Sequence, residues 1–128
     1  YEQLGTWVFD GEEKHSVTCL SGLKALAGQS IAIEFESVLC TSRDSNTQHF
    51  DKALELTNNA DVAILYLGEE SILSGEAHCR ANIDLPGAQL DLIEHLSQSN
   101  TPIVLVVLAG RPLTLQPILD KVDSILYA

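Results

Sequence analysis

The sequence has 128 residues, of which 45% are hydrophobic and 20% are charged. These values are typical of one globular domain with a real core and exclude a disordered segment or a disulfide-rich miniprotein. Seven Lys and Arg against 18 Asp and Glu give a formal net charge of -11, which disfavours nucleic acids and anionic membrane surfaces as partners. No apolar run approaches the roughly 20 residues of a membrane span. The chain contains no Met and begins with Tyr1, so we expect a piece of a longer protein.

The first half of the chain predicts a helix, a strand and a second helix. The stretch SVTCLSGLKALAG has apolar residues at every third position, which predicts a helix with Ser16 as N-cap and Gly28 as its C-terminal stop. The β-branched run over residues 30–35 predicts a short strand. After a loop, the spacing over residues 49–60 predicts the second helix.

The second half predicts a parallel sheet. Residues 61–68 and 101–110 are near-continuous apolar runs, which are typical of strands buried on both faces. Residues 86–100 predict a helix between them. Residues 112–122 predict a short helix, and residues 123–128 a further strand. The alternation indicates an α/β fold, with a mostly parallel sheet sandwiched between helices in a flavodoxin-like three-layer α/β/α arrangement.

The connection over residues 68–85 concentrates the ionisable side chains. It is longer than the usual α/β connection of about 2 to 6 residues. It also follows the carboxyl end of a predicted strand, which is where parallel sheets bind ligands. We therefore expect this loop to be functional.

Glu76 is the candidate catalytic acid of the loop. It follows Gly75, where the backbone can approach another group closely, and loops at strand ends often carry acid/base groups. The residues alone favour an ordinary surface glutamate over a catalytic one.

The other charged residues of the loop predict structural roles. Glu69 directly follows the strand, so we expect it to cap neighbouring backbone amides, and we expect Glu70 to be solvated. Arg80 is predicted to pair with the local carboxylates. Asp84 is predicted to be a cap or turn residue.

Other classes of site find little support. The glycine spacing of a nucleotide loop and the GxSxG of a nucleophile elbow do not occur. His78 and Cys79 lie near glutamates, but adjacent residues rarely ligate one metal ion. We therefore expect neither a cofactor nor a metal. Cys19, Cys40 and Cys79 lack zinc-site spacing and are expected to be free or buried thiols.

Trp7 is the only Trp of the chain and lies in the stretch LGTWVFDG, which has no helical or strand period. A single aromatic residue in such a loop can pack into a core or offer a flat face to a sugar. The residues alone favour packing.

Six segments form an ordered set of motifs along nearly the whole chain: LGTW, SVTCLSGLKALAG, ADVAILYLGEE, SGEAHCRANIDLPGAQLDLIEHL, PIVLVVLAGRPLTL and VDSILYA. Their order resembles the C-terminal α/β sandwich domain of glycoside hydrolase family 3, the β-glucosidase type. The most specific parts are the strand-Gly-Glu stretch, the Leu-Pro-Gly-x-Gln helix start and the Gly-Arg-Pro turn.

The resemblance implies a two-domain retaining glycosidase that hydrolyses terminal non-reducing β-D-glucosyl residues. Its Asp nucleophile would belong to a preceding (β/α)8 barrel, which residues 1–128 lack, and its general acid/base Glu to a loop of the sandwich. Glu76 matches that Glu, often found within Gly-Glu-Gly-Tyr-Asp-Arg, although Ala77, His78 and Cys79 replace Gly-Tyr-Asp. Trp7 matches the aromatic wall of the plus-one subsite, so the resemblance makes it a substrate-binding residue.

The resemblance also implies partners. These are a β-linked oligosaccharide or glucoside and the protein's own N-terminal barrel domain, with no nucleic acid and no membrane. We expect the isolated piece to be inactive and to expose the apolar surface on which the barrel docks, so that it forms a homodimer. Analogy with relatives favours a periplasmic or secreted location.

Two alternatives stay open. One is a non-catalytic, flavodoxin-like module for ligand binding or interaction, with the acidic loop as a polar rim. The other is a stabilising domain of a glycosidase whose acid/base lies elsewhere.

Overall fold

The computed structural model describes residues 2–128, and Tyr1 lies outside the described residues. Three parallel strands form one sheet in the order β1-β2-β3, with bounds Ala63–Gly68, Ile103–Leu108 and Ser124–Tyr127. Three helices accompany them: α1 Cys19–Ala27, α2 Phe50–Asn58 and α3 Gln89–Leu96. The α/β fold with a parallel sheet is confirmed. Within residues 2–128, every helix is too short or too polar to cross a membrane.

Helix α1 begins two residues later than predicted, because its N-cap is Thr18 and not Ser16. Thr18 is the N-cap, and its hydroxyl accepts a hydrogen bond from the Ser21 N–H at 3.2 Å. Ser16 instead ends a 3₁₀ turn, where its N–H donates to the Glu13 carbonyl at 2.9 Å. The prediction of Ser16 as the cap is therefore wrong, whereas Gly28 ends the helix as predicted.

The strand predicted over residues 30–35 is not formed. A β-branched run becomes a strand only when it pairs with a neighbour and buries a face. Ile31 and Phe35 are 63% and 64% exposed, and residues 30–35 pair with none of the strands in the described part of the chain. The local preference for a strand was present, but the partner was not.

One face of the sheet forms the core. Phe50 of α2 packs with Leu92 and Leu96 of α3 against β1. Ile93 of α3 is fully buried against β2. The burial of these apolar side chains is the main stabilising contribution, at about 25 cal/mol per Å². It fixes β1 and β2 in register, so that their carboxyl ends lie side by side.

The opposite face is open along β1. Ile64 and Tyr66 are 39% and 38% exposed, so the prediction that this strand is buried on both faces is wrong. Helix α1 has no buried side chain and so adds no buried core to this face. In β2, by contrast, Val106 on the same side is buried.

A buried amide locks the carboxyl end of β1. The Gln89 side chain accepts from the Gly68 N–H at 2.7 Å and donates to the Gly68 carbonyl at 2.8 Å. It also donates to the Ser42 carbonyl at 2.8 Å. The Leu-Pro-Gly-x-Gln motif therefore joins the strand end to the turn over residues 41–44.

That turn also binds Glu70, so the prediction that Glu70 is solvated is wrong. Its carboxylate accepts from the Ser42 hydroxyl at 2.7 Å and from Arg43 Nε at 3.1 Å. The hydrogen bond from Ser42, followed by that from Arg43, lowers the pKa of Glu70 from its ordinary value of 4.5. The carboxylate thus contributes a further tie between the turn and the strand end.

Substitution of Gly68 by Ala should destabilise the domain by about 3 kcal/mol or more. Gly68 has φ +140, and an added Cβ would lie 1.9 Å from the Leu108 carbonyl oxygen. Denaturant unfolding measures the change. The matched control is Gly22→Ala, whose added Cβ would meet only Val17 at 3.7 Å, and which should gain about 0.5–1 kcal/mol because Ala is the better helix former. Equal effects of the two substitutions would contradict the close approach of the strands.

Ser42→Ala should lower the free energy of unfolding by about 1 kcal/mol at pH 7. Because the pKa of Glu70 is lowered in the folded state, its contribution to the free energy of unfolding is present above pH 4.5. This contribution is lost as the pH falls through the lowered pKa. The difference between the variant and the unsubstituted protein should therefore shrink below pH 4.5. Unfolding curves at several pH values test this, with Ser45→Ala at an exposed position as control. A difference that is independent of pH would contradict the assignment to Glu70.

Candidate functional site

The long loop leaves the sheet at the carboxyl end of β1. It forms one 3₁₀ turn, Ser71–Leu73, and then runs irregularly until Asp84 makes an isolated parallel bridge with Thr114. No α-helix or strand lies between Gly68 and Gln89. The conformation of the loop must therefore come from side-chain contacts.

Glu69 lies at the base of this loop, and its side chain is completely buried. Its Oε1 pairs with Arg80 Nη1, and its Oε2 lies 3.3 Å from Arg111 Nε. The contacts of Glu69 are structural, as predicted, but its partners are guanidinium groups rather than backbone amides. The prediction that Arg80 pairs with a local carboxylate is confirmed.

Arg111 is a part of the site that residue-level reasoning missed. Besides Glu69, its Nη2 donates to the carbonyl oxygens of Leu73 and, at 2.7 Å, of His78. A signal was available: Arg111 follows β2 as Glu69 follows β1, and in a parallel sheet the two strand ends lie at one edge.

Glu76 lies at the exposed tip of the loop. The residues on either side have positive φ, with Gly75 at +120 and Ala77 at +64. For Ala this left-handed conformation costs about 1–2 kcal/mol. The backbone therefore turns sharply on both sides of the glutamate, and its side chain stays accessible.

The N-terminal segment is attached to the same loop through Thr6. Its hydroxyl lies 2.7 Å from the carbonyl oxygens of both Ser71 and Ser74. A Cβ added to Gly75 would lie 3.0 Å from the Thr6 methyl group, so a side chain there would press on this contact. This attachment brings Trp7, the next residue, beside Glu76.

Trp7 and Glu76 line one open cavity of about 470 Å³. Phe9, which sequence reasoning did not single out, lies in the same wall, with its ring centroid 6.0 Å from that of Trp7 and the two rings inclined at 52°. Trp7 is 61% exposed, which contradicts the interpretation that it packs into a core. The structure therefore brings together an accessible carboxyl group and an aromatic wall.

The remaining ionisable candidates do not assemble into a site. Within residues 2–128, no group of three or more His, Cys, Asp or Glu side chains is arranged to hold a metal ion. The three cysteines are free thiols, as predicted, and Cys40 and Cys79 are exposed. A smaller cavity of about 190 Å³ is lined by Glu70 and Gln89 among others, and both side chains already form hydrogen bonds within the chain.

Comparison with known proteins identifies the same kind of domain. The family model described as "Glycosyl hydrolase family 3 C-terminal domain" matches residues 1–128. A β-xylosidase of Formosa agariphila is 30% identical over 126 residues, which are 98% of this chain and 17% of that protein. A periplasmic β-glucosidase of Salmonella typhimurium is 30% identical over 142 residues, covering 96% of this chain and 19% of the relative.

A solved structure shares the fold. The β-glucosidase of Listeria innocua in complex with isofagomine superimposes with a TM-score of 0.83 at 28% identity, over 98% of this chain and 17% of that one. The chain thus spans less than a fifth of the length of these glycosidases. The chain belongs to glycosyl hydrolase family 3 and corresponds to the C-terminal domain of its members.

Proposed function

We propose that this domain supplies the general acid/base and part of the plus-one subsite of a retaining β-glycosidase. Glu76 is the proposed acid/base and Trp7 the proposed platform for the leaving-group sugar. The single observation that carries the proposal is the cavity in which both side chains meet. They are far apart in the sequence, and the Thr6 contacts hold their segments together.

The backbone beside Glu76 also supports its assignment. Ala77 has φ +64, a left-handed conformation that favours glycine. Glycine is the residue that the motif Gly-Glu-Gly-Tyr-Asp-Arg has at this position. Ala77 thus keeps the backbone turn that the motif predicts, although its side chain differs, and this agreement favours the alignment of Glu76 with the acid/base glutamate.

The chemistry requires two carboxyl groups, about 5 to 5.5 Å apart across the scissile bond. An Asp of the N-terminal barrel domain would attack the anomeric carbon, while the Glu76 carboxyl group gives its proton to the glycosidic oxygen. The leaving-group sugar then departs from the Trp7 side. In the second step Glu76 takes a proton from water, whose oxygen attacks the anomeric carbon and releases the Asp.

The proposed substrate is a terminal β-D-glucosyl residue. The relatives include a β-glucosidase and a β-xylosidase, so a β-xyloside is the competing substrate class. Contacts to the glycosyl unit itself come mainly from the barrel, whereas residues 1–128 would act on the leaving group. The barrel docks on this domain as its partner in the proposed enzyme.

Two further proposals concern the location of the protein and the association of the isolated domain. A relative is a periplasmic β-glucosidase, which favours a periplasmic or secreted location for the protein that carries this domain. The homodimer of the isolated domain stays a prediction. Ile64 and Tyr66 on the open sheet face offer an apolar surface for it.

Glu76→Ala in the full-length protein should lower kcat/KM for an unactivated aryl β-glucoside by about 10²–10⁴-fold. Its kcat/KM for the 2,4-dinitrophenyl β-glucoside should change little, because that leaving group departs without a proton. Azide should restore kcat on the activated substrate and yield the β-glycosyl azide, because the anion attacks the glycosyl-enzyme without a general base.

The matched control is Glu55→Ala, at an exposed position of α2, which should leave all rates unchanged. The same assays with aryl β-xylosides compare the two substrate classes. Unchanged turnover of Glu76→Ala would remove this residue from catalysis and favour the stabilising-domain alternative.

Trp7→Ala should lower kcat/KM for a β-linked disaccharide about tenfold, which corresponds to about 1.4 kcal/mol. The β-glycosyl fluoride has no leaving-group sugar, so its hydrolysis should be unaffected. Trp7→Phe keeps an aromatic face and should lose less. Equal losses on the disaccharide and the fluoride would contradict a role in the plus-one subsite.

A further inference from the structure

The Glu69 carboxylate joins two arginines beneath the acid/base loop. The side chains of Arg80 and Arg111 are 17% and 21% exposed, and that of Glu69 is completely buried. The two arginines approach different oxygens of the same carboxylate. Both oxygens are therefore occupied, and if either arginine rotated away, one oxygen of the buried carboxylate would lose its partner.

Each arginine also bonds to the backbone of the loop. Arg80 Nη2 donates to the Asp84 carbonyl oxygen at 3.0 Å, near the end of the loop. Arg111 Nη2 donates to the carbonyl oxygens of Leu73 and His78. These two carbonyl groups bracket Glu76, since one lies three residues before it and the other two residues after it.

We propose that Arg111 is the positioning residue of Glu76. Its Nε bonds to Glu69, and its Nη2 bonds to the backbone on both sides of the loop tip. The planar guanidinium group therefore fixes the position of the exposed glutamate relative to the edge of the sheet. A proton donor misplaced by about 1 Å can cost about 10²-fold in rate. This inference rests on the proposed function, because it assigns to Arg111 the placement of the proposed acid/base.

The geometry distinguishes Arg111 from a residue that only stabilises the domain. Other contacts also hold the loop, since Thr6 lies against its first half and the His78 ring contacts the Ile72 carbonyl. Only Arg111, among the described side chains, bonds to the backbone on both sides of Glu76. Its loss should therefore release the loop tip while the sheet edge keeps the Glu69–Arg80 pair.

The test compares Arg111→Met with Glu76→Ala in the full-length protein. Rates are normalised to competent sites, counted by the burst of dinitrophenolate from a 2,4-dinitrophenyl 2-deoxy-2-fluoro-β-glucoside, whose reaction needs no acid. For Arg111→Met we expect kcat/KM to fall about 10²-fold for the phenyl β-glucoside. For the 2,4-dinitrophenyl β-glucoside it should fall less than about threefold. Azide should raise kcat on the activated substrate and yield the β-glycosyl azide.

Two further variants complete the design. Arg43→Met is the matched control, because Arg43 also pairs with a carboxylate, Glu70, but bonds to no backbone of the loop; its rates should be unchanged. Arg111→Lys keeps a positive charge beside Glu69 but lacks a second nitrogen in the place of Nη2, which bonds to both carbonyl oxygens. It should show the same dependence on leaving group and azide, and it carries the test if Arg111→Met does not fold.

The outcomes separate the two levels of the proposal. If Glu76→Ala responds to azide but the Arg111 variants lose the same factor on both substrates without an azide effect, the positioning role is overturned and the proposed function stands. Unchanged normalised rates in the Arg111 variants would also overturn the positioning role of Arg111. If Glu76→Ala keeps full activity, the proposed function fails and this inference fails with it.

Discussion

A buried carboxylate between two arginines is the interaction on which the carboxyl edge of this domain depends. Glu69 follows β1, Arg111 follows β2, and Arg80 comes from the loop between β1 and α3. Removing one partner of a buried pair typically costs about 3–5 kcal/mol. This is a large part of the net stability of a domain, which is about 5–15 kcal/mol. The Glu69 carboxylate therefore links the positions of three chain segments.

The close approach of the strand ends makes this cluster possible. Gly68 and Leu108 are paired in register, and the absence of a side chain at Gly68 lets the two backbones meet. The buried Gln89 amide satisfies the last polar groups of β1. Glu69 thus emerges from a rigid base, which suits a loop that has few apolar side chains to bury and must take its shape from hydrogen bonds.

The loop combines this rigid base with an accessible tip. Its polar contacts are concentrated at the base and on the flanks, whereas Glu76 stays exposed. Thr6 attaches a second segment, which brings the Trp7 ring to the same cavity. The proposed acid/base group must be accessible to substrate and yet keep a defined position, and this division of the loop is compatible with both requirements. In residues 2–128 the cavity is open, and the proposed barrel domain would close it.

Apolar spacing along the chain predicted the three strands and helices α2 and α3. The ordered motifs indicated the family to which the chain belongs. The amino-acid sequence also indicated the candidate functional loop, because an overlong connection after an apolar run is visible in it. The remaining features depend on contacts between segments that are distant in the sequence. Residues 30–35 found no sheet partner, Glu70 found Ser42, and Glu69 found Arg111 at a separation of 42 residues. Periodicity reports only contacts within a turn or a strand, whereas partners of buried charges depend on which strands become neighbours and in which register.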